Sequence, residues 1–201
     1  MIPIPFPKAL RTRFLQPIRS VGARRWLGLL LSFVLFSPTP ASLAASDAAL
    51  EADAWTALEQ LYQQQPEAHW LAEHASAILV FPRIVKAGLI VGGERGKGVL
   101  FKDGQPDGRY ASTGLSYGLQ AGAQAYSYAL FFMNDSALRM LDRREGWEIG
   151  VGPSVVVIDH GLAGKLSSTT LDDDVYAYIF GQKGLMAGIG IQGSKISRLE
   201  D

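Results

Sequence analysis

The sequence predicts an α+β fold, with N-terminal helices packed on a mainly antiparallel, glycine-rich sheet and one internal helix. Three observations predict it. Residues 45–87 hold no glycine, whereas 20 of the 22 glycines lie between Gly88 and Gly193. Glycine disfavours helix interiors and suits turns, bulges and close backbone approach, so helices come first and strands follow. Apolar residues recur at helical spacing before Pro66 and alternate with period two after Ala77. The strand signals are broken by one helical stretch and show no regular βα alternation, which argues against a doubly wound sheet.

The N-terminal 44 residues read as a signal peptide. They carry Lys8, Arg11, Arg13, Arg19, Arg24 and Arg25 and no acid. An eleven-residue apolar run, Trp26–Phe36, follows. It is short for a transmembrane helix, which needs about 20 residues, and it fits a signal-peptide core. Ser42-Leu43-Ala44 places small side chains for cleavage after Ala44. Export to the periplasm is the expectation. The remaining chain has 13 basic and 19 acidic residues, a net charge of −6. That balance argues against nucleic acid as a partner. There is no cysteine, so neither a disulfide nor a lipidated N-terminal cysteine is possible.

Residues 45–76 form the helical segment. Ser46 or Asp47 can cap a helix to about Gln65, with Leu50, Ala54, Leu58 and Leu61 on one face and Trp55 and Tyr62 beside them. Pro66 breaks it, and a second helix spans about 67–75. Residues 77–201 form the β-rich part. Strands are expected at 77–81, ended by Pro82, and at 87–91 and 98–101. Residues 102–108 are dense in turn formers and read as a hairpin connection. A longer strand at 119–132 places Ala121, Ala123, Ala125 and Ala129 on one face. Gln120, Gly122, Gln124, Tyr126 and Tyr128 share the other. Asn134 or Asp135 caps the internal helix. Further strands are expected at 147–151, 154–158, 175–180 and 185–192.

Several motifs invite chemistry. Gly114-Leu-Ser-Tyr-Gly118 matches the nucleophile pattern G-x-S-x-G, and Asp159 and His160 follow in hydrolase order. That motif works on a strand-to-helix turn, whereas the residues after Ser116 alternate like a strand. Gly188–Gly193 matches G-x-G-x-x-G but leaves too little chain for the helix that would hold a pyrophosphate. His69 and His74 are five apart and do not form a helical metal pair, and Asp172-Asp173-Asp174 lacks the glycine and spacing of a calcium loop. Accordingly no catalytic residue, metal or cofactor is expected.

Four segments resemble a known family. Phe81-Pro-Arg-Ile-Val-Lys-Ala-Gly88, Gly92-Gly-Glu-Arg-Gly-Lys-Gly-Val-Leu100, Tyr117-Gly-Leu-Gln-Ala-Gly-Ala-Gln124 and Tyr178–Gly188 resemble, in order, the motifs of SYLF lipid-binding domains. These are also called the actin-binding domain of yeast actin-patch proteins. The resemblance runs from about Ala77 to Ile196. It implies a non-enzymatic α+β domain that binds phospholipid. Arg83, Lys86, Arg95 and Lys97 lie at the ends of adjacent expected strands and Lys183 in a turn, places from which cations can meet anionic headgroups. Arg83, Lys86 and Lys183 are the expected lipid contacts, Lys86 and Lys183 because they fall on motif positions. The family's basic amphipathic N-terminal segment is not matched, since residues 45–65 hold Asp47, Glu51, Asp53 and Glu59 and no base. Phospholipid or a membrane surface is the expected partner, and an exported protein would not meet actin. A structural outer-membrane β-barrel is the competing class, to which the helical start and charged C-terminus are ill suited. A serine hydrolase is the third.

Overall fold

The computed structural model describes residues 40–158, 172–184, 191 and 193–200. The expected signal peptide, the Asp159–His160 pair, and most of the strand expected at 185–192 lie outside them. Helix α1 spans Pro40–Gln64 and α2 spans Pro66–Ala72. The expected cap at Ser46 or Asp47 is thus interior to α1, because Ala-Ser-Leu-Ala-Ala continues the helix and Pro40 suits a first-turn position. Pro66 ends α1 and opens α2, as its missing N–H allows.

Among the described residues six strands follow: β1 (Ala77–Lys102), β2 (Gln105–Phe132), β3 (Trp147–Glu148), β4 (Val155–Ile158), β5 (Val175–Gly184) and β6 (Lys195–Arg198). The sheet order is β3-β6-β2-β5-β4, with β1 on β2. All pairs are antiparallel except β4–β5. Between β2 and β3, α3 (Asp135–Leu138) and a 3₁₀ turn (Arg139–Asp142) form the internal helix. Asn134 Oδ1 caps it by accepting from the Ala137 N–H at 2.9 Å.

The expected strands at 77–81, 87–91 and 98–101 are one strand, β1. Pro82 does not end the first. Pro82 and Arg83 together oppose Ser127 in a bulge, where proline's missing N–H costs no ladder bond. Ser127 Oγ donates to the Pro82 carbonyl at 2.7 Å. The turn joining β1 to β2 is tighter than residues 102–108. Only Asp103 and Gly104 lie between the strands, both with positive φ (49° and 72°), as a two-residue hairpin turn requires.

This long hairpin doubles back on itself. Register slips between Leu89 and Val91, where β2 inserts extra residues between Tyr117 and Ala121. A Cβ on Gly88 would strike the Gly92 backbone, so the chain reverses direction there. A Cβ on Gly98 would lie 2.6 Å from the Val80 carbonyl oxygen and 2.7 Å from the Phe81 ring. The two halves of β1 therefore press together, and only glycine fits at position 98.

The doubled ribbon has an inner face and an outer face. The inner face holds Leu79, Phe81, Ile84, Leu100, Tyr126, Tyr128, Leu130 and Phe132, packed with Trp147, Ile149 and Ile196. The outer face is covered at both ribbon ends. Ala54, Leu58 and Leu61 of α1 and Leu71 of α2 share one core with Val80, Val99, Phe101, Ala129, Phe131, Tyr176 and Tyr178. Trp55 adds a tilted ring contact to Phe101 at 4.6 Å. The expected apolar face of α1 is therefore the face that packs.

Candidate functional site

Beyond the helices, described side chains on the outer face of the ribbon stand exposed around the bend. Val85 (41% exposed), Leu89 (72%), Val91 (53%) and Leu115 (74%) project from this face. Arg83, Arg95 and Lys97 are exposed on the same face of β1. Lys183 is exposed on β5 and pairs with Ala125, which pairs in turn with Val85. Strand spacing puts the Val85 and Lys183 backbones about 10 Å apart. In the row Arg95–Thr113–Lys195–Glu148, read across the four strands, Glu148 is the exposed acid and sits beside Lys195.

The structure separates the three cations expected to meet lipid. Arg83 and Lys183 lie on the outer face, and Lys86 does not. Lys86 is 5% exposed on the inner face, paired with buried Gln124. The bulge at Pro82–Arg83 causes this, because one extra residue flips every later side chain to the opposite face. Phe81 (0%) lies in the inner core and Phe180 (7%) in the core shared with α1, so neither is exposed beside these cations.

Inside, Lys86 shares its face with a polar group that sequence reasoning missed. Glu94 is buried and accepts from Tyr126 Oη at 2.8 Å and from Ser194 Oγ at 2.5 Å. Tyr128 Oη donates to Ser112 Oγ at 2.7 Å. Burial pushes the Tyr126 hydroxyl far above its ordinary pKa, and the adjacent Glu94 charge pushes it further. Gln124 Nε2 is buried without a hydrogen-bond partner. The alternation of Gln124, Tyr126 and Tyr128 was the available signal, but nothing in the sequence joined them to Glu94 or Ser194.

The tempting motifs resolve differently. Ser116 lies inside β2, which runs unbroken from Gln105 to Phe132, so the strand-to-helix turn of a hydrolase is not there. His69 faces Glu73 at 3.7 Å, and His74 Nδ1 lies 2.8 Å from the Trp70 carbonyl. Among the described residues, no group of three potential metal ligands gathers. Asp174 of the acidic triplet is a joint between segments. It accepts from Asn134 Nδ2 at 2.8 Å and from the Ser154 N–H at 3.0 Å, and these bonds, Asn134's first, hold its carboxyl below the usual range. A cavity of about 470 Å³ opens between the end of α1 and the β4–β5 edge, lined by Leu61, Val157, Tyr178 and Phe180 among others.

Residues 113–201 match the family model Ysc84, described as Las17-binding protein actin regulator. This segment is similar to a Ysc84, or SYLF, domain. No curated protein matches the chain. The SYLF match takes in most of β2 and everything after it, including Lys183 and Ser194. It includes the last two of the four motifs, while Arg83, Lys86 and Glu94 precede it. The SYLF family suggests a lipid- or actin-binding, non-catalytic domain.

Proposed function

We propose that the chain is a non-catalytic phospholipid-binding domain of an exported, periplasmic protein, and that it contacts anionic membrane lipid through the outer face of the β1–β2 ribbon. One observation carries this reading. Around the exposed part of that face, Arg83, Arg95, Lys97 and Lys183 are exposed, and the nearest acid on β1 is Glu94, which is buried. Cations near a charged bilayer contribute about 1 kcal/mol each. The solvent side of α1, by contrast, carries Asp53 and Glu59 and no base, so the helical end of the domain would face away from the membrane.

The family description names actin regulation. The signal-peptide reading of residues 1–44 favours lipid over actin, because export removes the chain from actin's compartment. The position of Ser116 within a continuous strand supports a binding role without hydrolysis.

Co-sedimentation with phosphatidylglycerol vesicles tests the proposal. Arg83→Glu combined with Lys183→Glu should weaken binding at least about tenfold, and raised salt should weaken the wild type, since exposed charges are screened over about 8–10 Å. Unchanged circular dichroism controls for folding. Equal binding by the folded double variant would move the lipid contact off this face.

A further inference from the structure

Leu89 and Val91 pair with β2 through the backbone, yet their side chains stand exposed at the bend, and their composition does not suit water. Among the described residues, seven large apolar side chains are exposed, and four of them are Val85, Leu89, Val91 and Leu115. They lie on one face of the ribbon, on both strands around the reversal at Gly88–Gly92. Gly93 pairs with Leu115 and Gly92 with Ser116, so both strands contribute to one apolar knuckle. An exposed apolar patch rimmed by polar groups marks an interaction surface.

We infer that this knuckle is a membrane-insertion element: Leu89, Val91 and Leu115 enter the interfacial zone of an anionic phospholipid bilayer while Arg83, Arg95 and Lys97 hold headgroups around them. The inference rests on the phospholipid reading above and adds to it a depth, an orientation and the residues that penetrate. Charge decides the occupant. Arg83 lies six residues before Leu89, and Arg95 lies four after Val91, so cations flank the knuckle on both sides. Two copies meeting knuckle to knuckle would bring those cations together and repel. An anionic bilayer offers apolar depth and the opposite charge at once, the combination by which interfacial elements bind. The end of the ribbon that α1 covers carries the exposed acids Asp103 and Asp107 against one exposed base, Lys102, and α1 adds Asp53, which sets this pole of the domain away from the bilayer.

The chain has no cysteine, so single labels can be placed without background. Leu89→Cys and Leu115→Cys, each carrying an environment-sensitive NBD label, are compared with Asp103→Cys at the far turn. On vesicles of phosphatidylglycerol and phosphatidylcholine, emission at 89 and 115 should rise several-fold, shift to the blue and be quenched by lipid-borne nitroxides. Emission at 103 should not change. Leu89→Asp with Leu115→Asp, unlabelled, should bind vesicles at least about tenfold more weakly with unchanged circular dichroism, as loss of inserted apolar area requires. Vesicle binding with positions 89 and 115 as water-exposed as 103 would overturn insertion and leave the lipid reading standing. No vesicle binding by the wild type would overturn both. A label response without vesicles that grows with protein concentration would make the knuckle a self-association surface and overturn the inference.

Discussion

At the scale of single residues, the buried carboxylate of Glu94 shows how a polar group survives inside this fold. Its two oxygens accept from hydroxyls on β2 and on the segment just before β6, so it ties the hairpin to the C-terminal strand. Removing one partner of a buried hydrogen-bonded set costs more than the bond itself, because the remaining groups stay desolvated. Glu94→Ala should therefore lower stability by about 2–4 kcal/mol, and Glu94→Gln, which keeps an acceptor, by about half that. Urea denaturation of the three proteins checks it, and an alanine variant as stable as wild type would show that the cluster contributes nothing. Legibility was poorest at this scale. Arg83, Lys86 and Lys183 were all expected on the surface, and the structure buries Lys86, because a bulge within a strand cannot be seen where Pro82 is read as the strand's end. Period two is counted from Phe81, and the extra residue at Pro82–Arg83 changes the parity of everything beyond.

At the scale of elements, the helices were legible and the strand boundaries were not. Leu58 and Leu61 recur on one helical face with enough neighbours to fix the side that packs. The strands in 77–101 were divided at Pro82 and at glycines that the structure uses for bending within one strand. β6 left almost no signal, since Ile196 is its one buried apolar side chain between Lys195 and Arg198. The roles of individual glycines make a testable contrast. Gly98 lies against the Val80 carbonyl and the Phe81 ring, whereas a Cβ on Gly93 would find its nearest atom, the Gly114 oxygen, at 3.9 Å. Gly98→Ala should cost about 1–3 kcal/mol by overpacking. Gly93→Ala should be neutral or stabilising by up to about 1 kcal/mol, because alanine loses less freedom on folding. Thermal melts of both variants measure the difference, and equal effects would deny that β1 closes on itself as described.

At the scale of the whole molecule, an α+β fold with a mainly antiparallel sheet was legible from where glycine begins. The closing of the ribbon was not, because it depends on contacts between residues far apart in sequence. The same packing gathers an unusual number of shielded phenols. Burial pushes Tyr62 and Tyr178 up to about 12, and it is the largest cause of the upward shifts at Tyr110, Tyr126, Tyr128 and Tyr176. A folded-state pKa raised above the unfolded value of 10.0 means that the folded chain holds its protons more tightly. The stabilisation is fully present below pH 10 and is lost as pH rises toward and through about 12. Urea midpoints should therefore fall steeply over that window, with tyrosinate absorbance rising together with unfolding. Tyrosinate that forms gradually in a chain still folded would contradict the burial of these rings.

The doubled ribbon has one more consequence. β1 is 26 residues long and, among the described residues, pairs with a strand on one side only. A long open edge of this kind is a template on which a second chain can add strand upon strand into an aggregate. Here the edge is never long and flat. Pro82 removes a donor, the bulge beside it twists the strand, Arg95 and Lys97 place charge along it, and the reversal at Gly88–Gly92 divides it into two shorter runs. The bend that leaves Leu89 and Val91 in solvent thus also protects the protein from its own kind: apolar side chains are exposed without offering an edge on which another copy could grow.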